Sequence, residues 1–471
     1  MKNVILIGGG VAGLTAGIYI ADSGARCVLI EKNENGAGAL CGWRREGFEI
    51  DGCLHWLTGT KKGTELYGIW RKTGMLDGEV VRTDAFFSSE EDGKRVTFYR
   101  DAKKTEEELS SLCPDDAAEI KKMFRAIKAA SSLSETEEEP LGKAECVLAL
   151  APFALLSAGE VAERFKSSVL KRAICDLTGE YYSSLGFIFA YAAYSSGNGF
   201  LPRGGSRGAS SRMIEKYKSL GGEYISGKSA VKVERLGGEF TVTLSDGSVV
   251  TGDSLICCTD PVKSVMSLFG AEYLPQRYMK KMVHKEKYPL FSSVHFAFSA
   301  KRGDVPFRGT LFVPCRRHEV GSVNRDRLML REFSHEPSFA PEGMSVIQTM
   351  AFTDETKSRE WMKLSADREA YREAKSAAAN EVKARIAERF PSLSGAELID
   401  SWTPATYSRY LGSVCGSYMS FALTPATAPA AFPTRLRGLD GVYFASGWTR
   451  SPGGVPNAAL AGRNAASAVL G

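Results

Sequence analysis

Three glycines, Gly8, Gly10 and Gly13, stand at the spacing that lets a backbone hold a pyrophosphate. Gly8 permits a tight turn, Gly10 lets the main chain approach phosphate oxygens, and Gly13 allows a helix to pack closely on a strand. A helix opening through Val11 and Ala12 would add free N–H donors and a partial positive charge. Glu31, followed by Lys32, closes the next apolar run at the distance where a carboxylate accepts hydrogen bonds from a ribose diol. An acid there disfavours a 2′-phosphate, so the dinucleotide is FAD or NAD rather than NADP.

A second glycine turn lies at the other end of the chain. Gly453-Gly454 precedes Val455 and Pro456, and the spacing predicts a helix beginning at Pro456, where proline costs nothing in a first turn. Such a tip is a second anion site. Of the five histidines, His55 lies in "DGCLHWL" and is either a satisfied structural side chain or a proton donor beside the reacting group. His284, His295, His318 and His335 have no metal-binding spacing. The ten cysteines include no C-x-x-C pair, and the adjacent Cys257-Cys258 reads as buried strand packing.

The elements that position these residues follow a strand–turn–helix–strand rhythm at the start: "KNVILIG", "GGVAGL", "TAGIYIADSG", "RCVLIEK". The rhythm returns after "PRGGSRGASSRMIEKYKSLGG", with "EYISGKSAVKVERL", a hairpin turning at "SDG", and "LICCTD". "SSVHFAFSA" and "SVIQTMAF" read as strands, "DREAYREAKSAAANEVKARIAERF" as a long charged helix, and "SETEEEP" as an acidic loop. "GVYFAS" is the strand feeding the last turn. Two uncharged stretches, Cys146–Gly159 and Leu185–Pro202, are expected as core helices, with a tunnel wall or a bilayer-resting patch as the functional alternative.

At 471 residues, with 44% hydrophobic and 24% charged side chains, the chain is globular and too long for one core. A net charge of +5 is too small to suggest nucleic acid. Scattered cysteines and the lack of a leader segment point to a reducing cytoplasm.

The segment "GAGALCGWRREGFEIDGCLHWLTG" resembles the phytoene desaturase, carotenoid isomerase and retinol saturase group of FAD oxidoreductases. Gly38, Gly47, Phe48, Asp51 and Gly52 carry the likeness, together with "SGNGFLPRGG" and the closing Gly-x-x-x-x-Pro-Gly-Gly-x-Pro block. The resemblance implies an α/β protein. Its discontinuous, glutathione-reductase-type Rossmann domain would be built from residues 1–80, 205–285 and 425–471. An α+β substrate domain with a mixed sheet and helices would come from 81–204 and 286–424. Many members have Arg after the Gly-Gly pair, where this chain has Gly38-Ala39-Leu40, which leaves Arg44, Arg45 or the helix end to face the phosphates.

Motif and resemblance together predict FAD contacts at Gly8, Gly10, Val11, Ala12, Gly13, Glu31, Lys32, Gly38, Ala39, Leu40, Trp43, His55, Thr259, Gly447, Trp448, Gly454, Val455 and Pro456. The backbone of Val231 is expected beside the adenine. The second turn then holds the flavin ring, whose reduced form is an anion at N1 and the C2 carbonyl. The implied reaction is hydride exchange at flavin N5 with a long apolar polyene, isoprenoid or lipid in a tunnel, to desaturate, saturate or isomerise it. No second G-x-G-x-x-G follows a strand, so the electron donor or acceptor is open between a quinone, oxygen, a redox protein and nicotinamide. A flavin amine oxidase and a flavin-free prenyl-protein-binding relative share the fold.

Overall fold

The computed structural model describes residues 2–34, 36–134, 140–320, 324–427 and 430–471. The acidic loop expected at Ser134–Pro140 falls largely outside them.

A five-stranded parallel sheet runs in the order Glu223–Ser226, Arg26–Glu31, Asn3–Ile7, Ser254–Cys257, Val442–Phe444. Parallel strands are covered on both faces, which is why their sequences are nearly continuous apolar runs. Alternate side chains enter different cores. Val4 and Leu6 pack with Leu14, Ile18 and Leu29 under helices, while Ile5 and Ile7 pack with Phe240 and Val242. The helical face carries Val11–Asp22, Gly205–Ser219 and Val455–Leu470. Gly17 admits the Tyr217 ring, which a Cβ would meet at 2.7 Å. The other face carries an antiparallel sheet of Ala230–Leu236, Glu239–Leu244 and Val249–Gly252, the last two being the expected hairpin.

A second, mixed sheet of seven strands has the order Glu397–Trp402, Phe291–Lys301, Met344–Asp354, Asn324–Glu332, Thr310–Glu319, Ala85–Glu91, Lys94–Tyr99. All neighbours are antiparallel except Thr310–Glu319 and Ala85–Glu91. The charged helix Arg368–Arg389 lays Ala379, Val382 and Ile386 against Phe296 and Phe298. A helical layer including Ala117–Leu133 and Ser184–Ser195 packs on Phe87 and Phe98. The strands Thr310–Glu319 and Asn324–Glu332 are not evident from the sequence pattern, and the hairpin Ala85–Tyr99 is an addition to the elements expected.

One expected core segment is corrected. Cys146–Gly159 is not one helix: Lys143–Leu150 ends within it and Ala158–Ala162 begins only at its last two residues, while Val147, Leu148 and Leu155 are 65%, 72% and 79% exposed. Cys146, Ala149, Leu150 and Phe153 fill the inward side, and nothing among the described residues covers the outward side. Leu185–Pro202 does enter the core, as the helix Ser184–Ser195 and the strand Gly199–Pro202. All ten cysteines are free, and no described helix is long and apolar enough to cross a membrane.

Candidate functional site

The first glycine turn is built so closely that side chains cannot enter it. A Cβ on Gly13 would lie 2.0 Å from the Gly8 carbonyl oxygen, and one on Gly8, whose φ is +107°, would meet Thr259 at 2.7 Å. Gly38 presses its backbone on Gly10, where its own Cβ would stand 2.9 Å from the Gly10 Cα. Gly10 caps Val11–Asp22 without a side chain, so the first-turn N–H groups through Val11 and Ala12 are left for a ligand.

Glu31 is buried beside this turn. It accepts from the Gly9 N–H at 2.7 Å and from the Asn33 N–H and Nδ2 at 2.9 Å each. Leu40 packs with Val11 and Ala12, and Ala39 accepts from the Cys41 N–H. Val231 falls at a β-bulge between the pairs Ala230–Leu244 and Lys232–Thr243, which leaves its backbone outside the ladder.

Four expected contributors turn elsewhere. Lys32 Nζ donates to the Arg409 carbonyl at 2.7 Å. Trp43 donates from Nε1 to Asp400 at 2.9 Å and sets its ring edgewise to Trp402. Arg44 pairs with Glu49 at 3.1 Å and Arg45 with Asp400 at 3.2 Å, so neither replaces the missing phosphate arginine. The bare helix tip is what remains for that charge.

The last helix starts at Val455, one residue earlier than expected, with Pro456 in its first turn and Gly454 (φ +89°) as a side-chain-free cap. Gly447 packs on Gly453, and the Gly453 N–H donates to Met419 O and Ser420 Oγ. Trp448 meets Phe421 edge to face at 5.2 Å. Gly462 crosses the first turn of the N-terminal helix, where a Cβ would lie 2.2 Å from the Ala12 oxygen. From that crossing the last helix projects seven residues, roughly 10 Å, and it touches the strand Leu57–Thr58. Two bare helix tips therefore lie on the same face of the parallel sheet.

Just before that strand, His55 borders a cavity of about 20 Å³, room for a water molecule. The other lining residues are Asp51, Gly52, His295, Met329, Arg331, Gln348, Thr349 and Met350. The mixed sheet assembles them: Arg331 is opposite Gln348 and His295 opposite Met350, so the two-residue period aims Met329, Arg331, Gln348, Met350 and His295 at one spot. Gln348 clamps the Asp51 backbone, its Nε2 donating to the carbonyl at 3.0 Å. Asp51 accepts at one oxygen from the Cys53 and Leu54 N–H groups and Ser206 Oγ, and at the other from the Ser206 N–H.

The two cavity histidines differ. His295 lies flat on Trp402, with ring centroids 4.5 Å apart, and its Nε2 is 2.6 Å from Ser293 Oγ and 3.0 Å from Tyr407 Oη. Burial pushes its pKa down to about 3. His55 makes no ring hydrogen bond among the described residues. Burial, then the Arg331 charge and His295, hold it well below the ordinary histidine range. Both are neutral imidazoles at neutral pH, so an imidazolium acid at His55 is disfavoured. The sequence set His295 aside for lack of metal spacing and passed over Arg331, Gln348 and Met350. Only the polar interruption of "SSVHFAFSA" hinted at the first.

Residues 11–470 match the model of the flavin containing amine oxidoreductase family. The chain belongs to that family. It is an FAD-dependent oxidoreductase of the amine oxidase and carotenoid desaturase superfamily, and the dinucleotide is FAD.

This flavoenzyme is 25% identical to a limonene dehydrogenase component of Castellaniella defragrans over 310 residues, which are 58% of this chain and 55% of that protein. It is 24% identical to prolycopene isomerase 1 of an Oncidium hybrid cultivar over 480 residues, covering 94% and 79%. A 248-residue stretch, 47% of this chain and 41% of the relative, is 24% identical to an inactive all-trans-retinol 13,14-reductase of Danio rerio. The matches thus span about half the length of the limonene and retinol relatives. In fold it is similar to an oxidoreductase of Methanosarcina mazei (TM-score 0.62, 15% identity, 98% and 99% coverage). It is likewise similar to a putrescine oxidase (TM-score 0.61, 17%, 100% and 99%). The residues fit FAD: the side-chain-free groove between Gly10 and Gly38 and the two uncapped tips are what a long, doubly anionic dinucleotide needs.

Proposed function

We propose that this flavoenzyme desaturates, saturates or isomerises a C–C or C=C bond of an apolar isoprenoid, polyene or related lipid. In this reading Gly8–Gly13 and Gly38 hold the FAD pyrophosphate, Glu31 the ribose, and the Val231 backbone the adenine. Gly454–Pro456 would hold the ring, and His55 would serve the reacting end of the site. FAD supplies two-electron hydride exchange at N5. The tip at Val455 stabilises negative charge on the ring, neutral His55 and His295 hold hydrogen bonds or a proton near the reacting carbons, and Met329 and Met350 give an apolar wall that excludes water.

The observation that carries this reading is the charge of the cavity. Both Asp51 oxygens are engaged by Cys53, Leu54 and Ser206, so no lining carboxylate is left to receive an ammonium. The limonene and prolycopene names of its relatives support it as well. An amine oxidase whose aromatic pair frames the substrate needs an open slot of about 7 Å. No aromatic pair is among the described residues that line the cavity. A flavin-free prenyl-binding role does not suit a member of this family.

We also infer that the outward face of Val147, Leu148 and Leu155 rests on an anionic bilayer. The exposed Lys121, Lys122, Arg125 and Lys128 lie on the helix that Arg125 ties to Glu145 at 3.2 Å.

The test begins with the purified yellow protein, reduced anaerobically. Reoxidation of the flavin by a polyene or enone, with no bleaching of the oxidised flavin by amines, is the expected result. Bleaching by an amine alone would sink the proposal.

A further inference from the structure

Arg331 is a buried cation with no carboxylate in contact with it among the described residues. It is 6% exposed, and its Nη1 donates to the Leu54 carbonyl at 2.7 Å. The guanidinium lies 4.5 Å from the Phe333 ring centroid. It joins no ion pair among the described residues. Asp51, the acid whose charge it feels, directs its oxygens to Cys53, Leu54 and Ser206. Glu332, next along the strand, points to the opposite face, where it accepts from Ser345 and lies 3.6 Å from Arg308. The remaining N–H groups of Arg331 are left to the cavity shared with His55 and His295. A guanidinium held this way is strongly disfavoured unless a ligand brings the opposite charge. Its planar fork suits a carboxylate. Met329 and Met350, on the same face, suit an apolar chain.

We propose that Arg331 binds a carboxylate on the substrate, so that the molecule taken is an apolar isoprenoid acid rather than a plain hydrocarbon. The bond to be changed would then lie close to the carboxylate, next to His55. That last clause rests on the oxidoreductase reading above; the binding claim does not.

Calorimetry on the flavin-loaded protein tests it, with geranate and the longer farnesoate as probes against their methyl esters. Each acid is expected to bind about 30-fold or more tightly than its ester. Arg331→Gln should bring the acid down to the ester's affinity, while Arg331→Lys should retain part of the difference. Equal binding of acid and ester by the unaltered protein, or binding of neither acid, overturns the proposal without any variant having to fold. An Arg331→Gln protein that binds acid normally but shifts the flavin midpoint potential assigns the guanidinium to the ring and overturns it too. The visible spectrum is recorded first. A colourless protein would refute the flavoenzyme reading and leave the calorimetric comparison in force.

Discussion

The nucleotide end and the catalytic cavity are built by opposite rules. At the nucleotide end, function is carried by what is missing: Gly8, Gly10, Gly13, Gly38 and Gly454 remove side chains so that backbone dipoles can do the work. In the cavity, function is carried by side chains with unusual surroundings, two neutral histidines and an unpaired guanidinium. At Gly8, Gly13 and Gly38 the first kind of site tolerates no added atom. The second tolerates shape changes better than changes of charge or hydrogen bonding.

The sharpest way to break this contrast is to add one methyl group. Gly13→Ala should destabilise the protein by about 1–3 kcal/mol and leave it without flavin, measured as flavin absorbance per mole of protein, because the Gly8 oxygen cannot retreat. Gly24, unlike Gly13, stands at positive φ, with nothing within 4 Å of the Cβ that Gly24→Ala would add. That variant should cost about 1 kcal/mol of strain and keep its colour. If both variants stay yellow, close packing at Gly13 is not what makes the site.

Acid should act through His295 in the cavity and through His335, whose ring lies against Phe333 outside it. The folded pKa of His295 is pushed down to about 3 and that of His335 to about 4, from an ordinary value of 6.5. The unfolded chain therefore takes up the protons first. The stability from keeping these rings neutral is complete above about pH 6.5 and is lost as pH falls towards 4 and then 3. The expected slope is about 1.4 kcal/mol per pH unit for each ring, read from denaturation midpoints. His295→Gln should flatten it.

The two cavity histidines should also separate. His295→Leu strips partners from Ser293 and Tyr407 and should cost about 1–3 kcal/mol. His55→Leu breaks no ring hydrogen bond among the described residues. It should cost under about 1 kcal/mol while slowing substrate-driven flavin reoxidation. Equal losses of stability would erase the distinction.

The smallest effect on folding is expected at the exposed ridge. Leu148→Glu should change stability by less than about 0.5 kcal/mol yet release the protein from phosphatidylglycerol-containing liposomes in a sedimentation assay. Unchanged sedimentation would remove the bilayer from the account.

This contrast also explains what could be read beforehand. Gly8-x-Gly10-x-x-Gly13, Glu31 and Gly453-Gly454 are local: each turn and its helix lie within a few residues, so spacing alone announces them. His295, Arg331 and Gln348 meet only because three strands pair in one order, and nothing in their own neighbourhoods states that order. Cys146–Gly159 misled for a related reason. Lack of charge says a segment is apolar, but burial depends on whether another element arrives to cover it. The hairpin Ala85–Tyr99 was within reach, since Asp92-Gly93 both take positive φ in its turn, a pairing that aspartate and glycine favour. Lys32 and Trp43 sit at positions the motif predicts, but acceptors from the mixed sheet and its flanking helix claim their donors.

The crossing of Gly462 over Ala12 has a consequence for how the protein matures. The helix Val455–Leu470 seats on the first turn of Val11–Asp22, so the groove between the two glycine turns closes only when these two distant segments have met. Cofactor loading thereby waits on a contact distant in sequence, and until it forms the apolar faces that the two helices share stay uncovered.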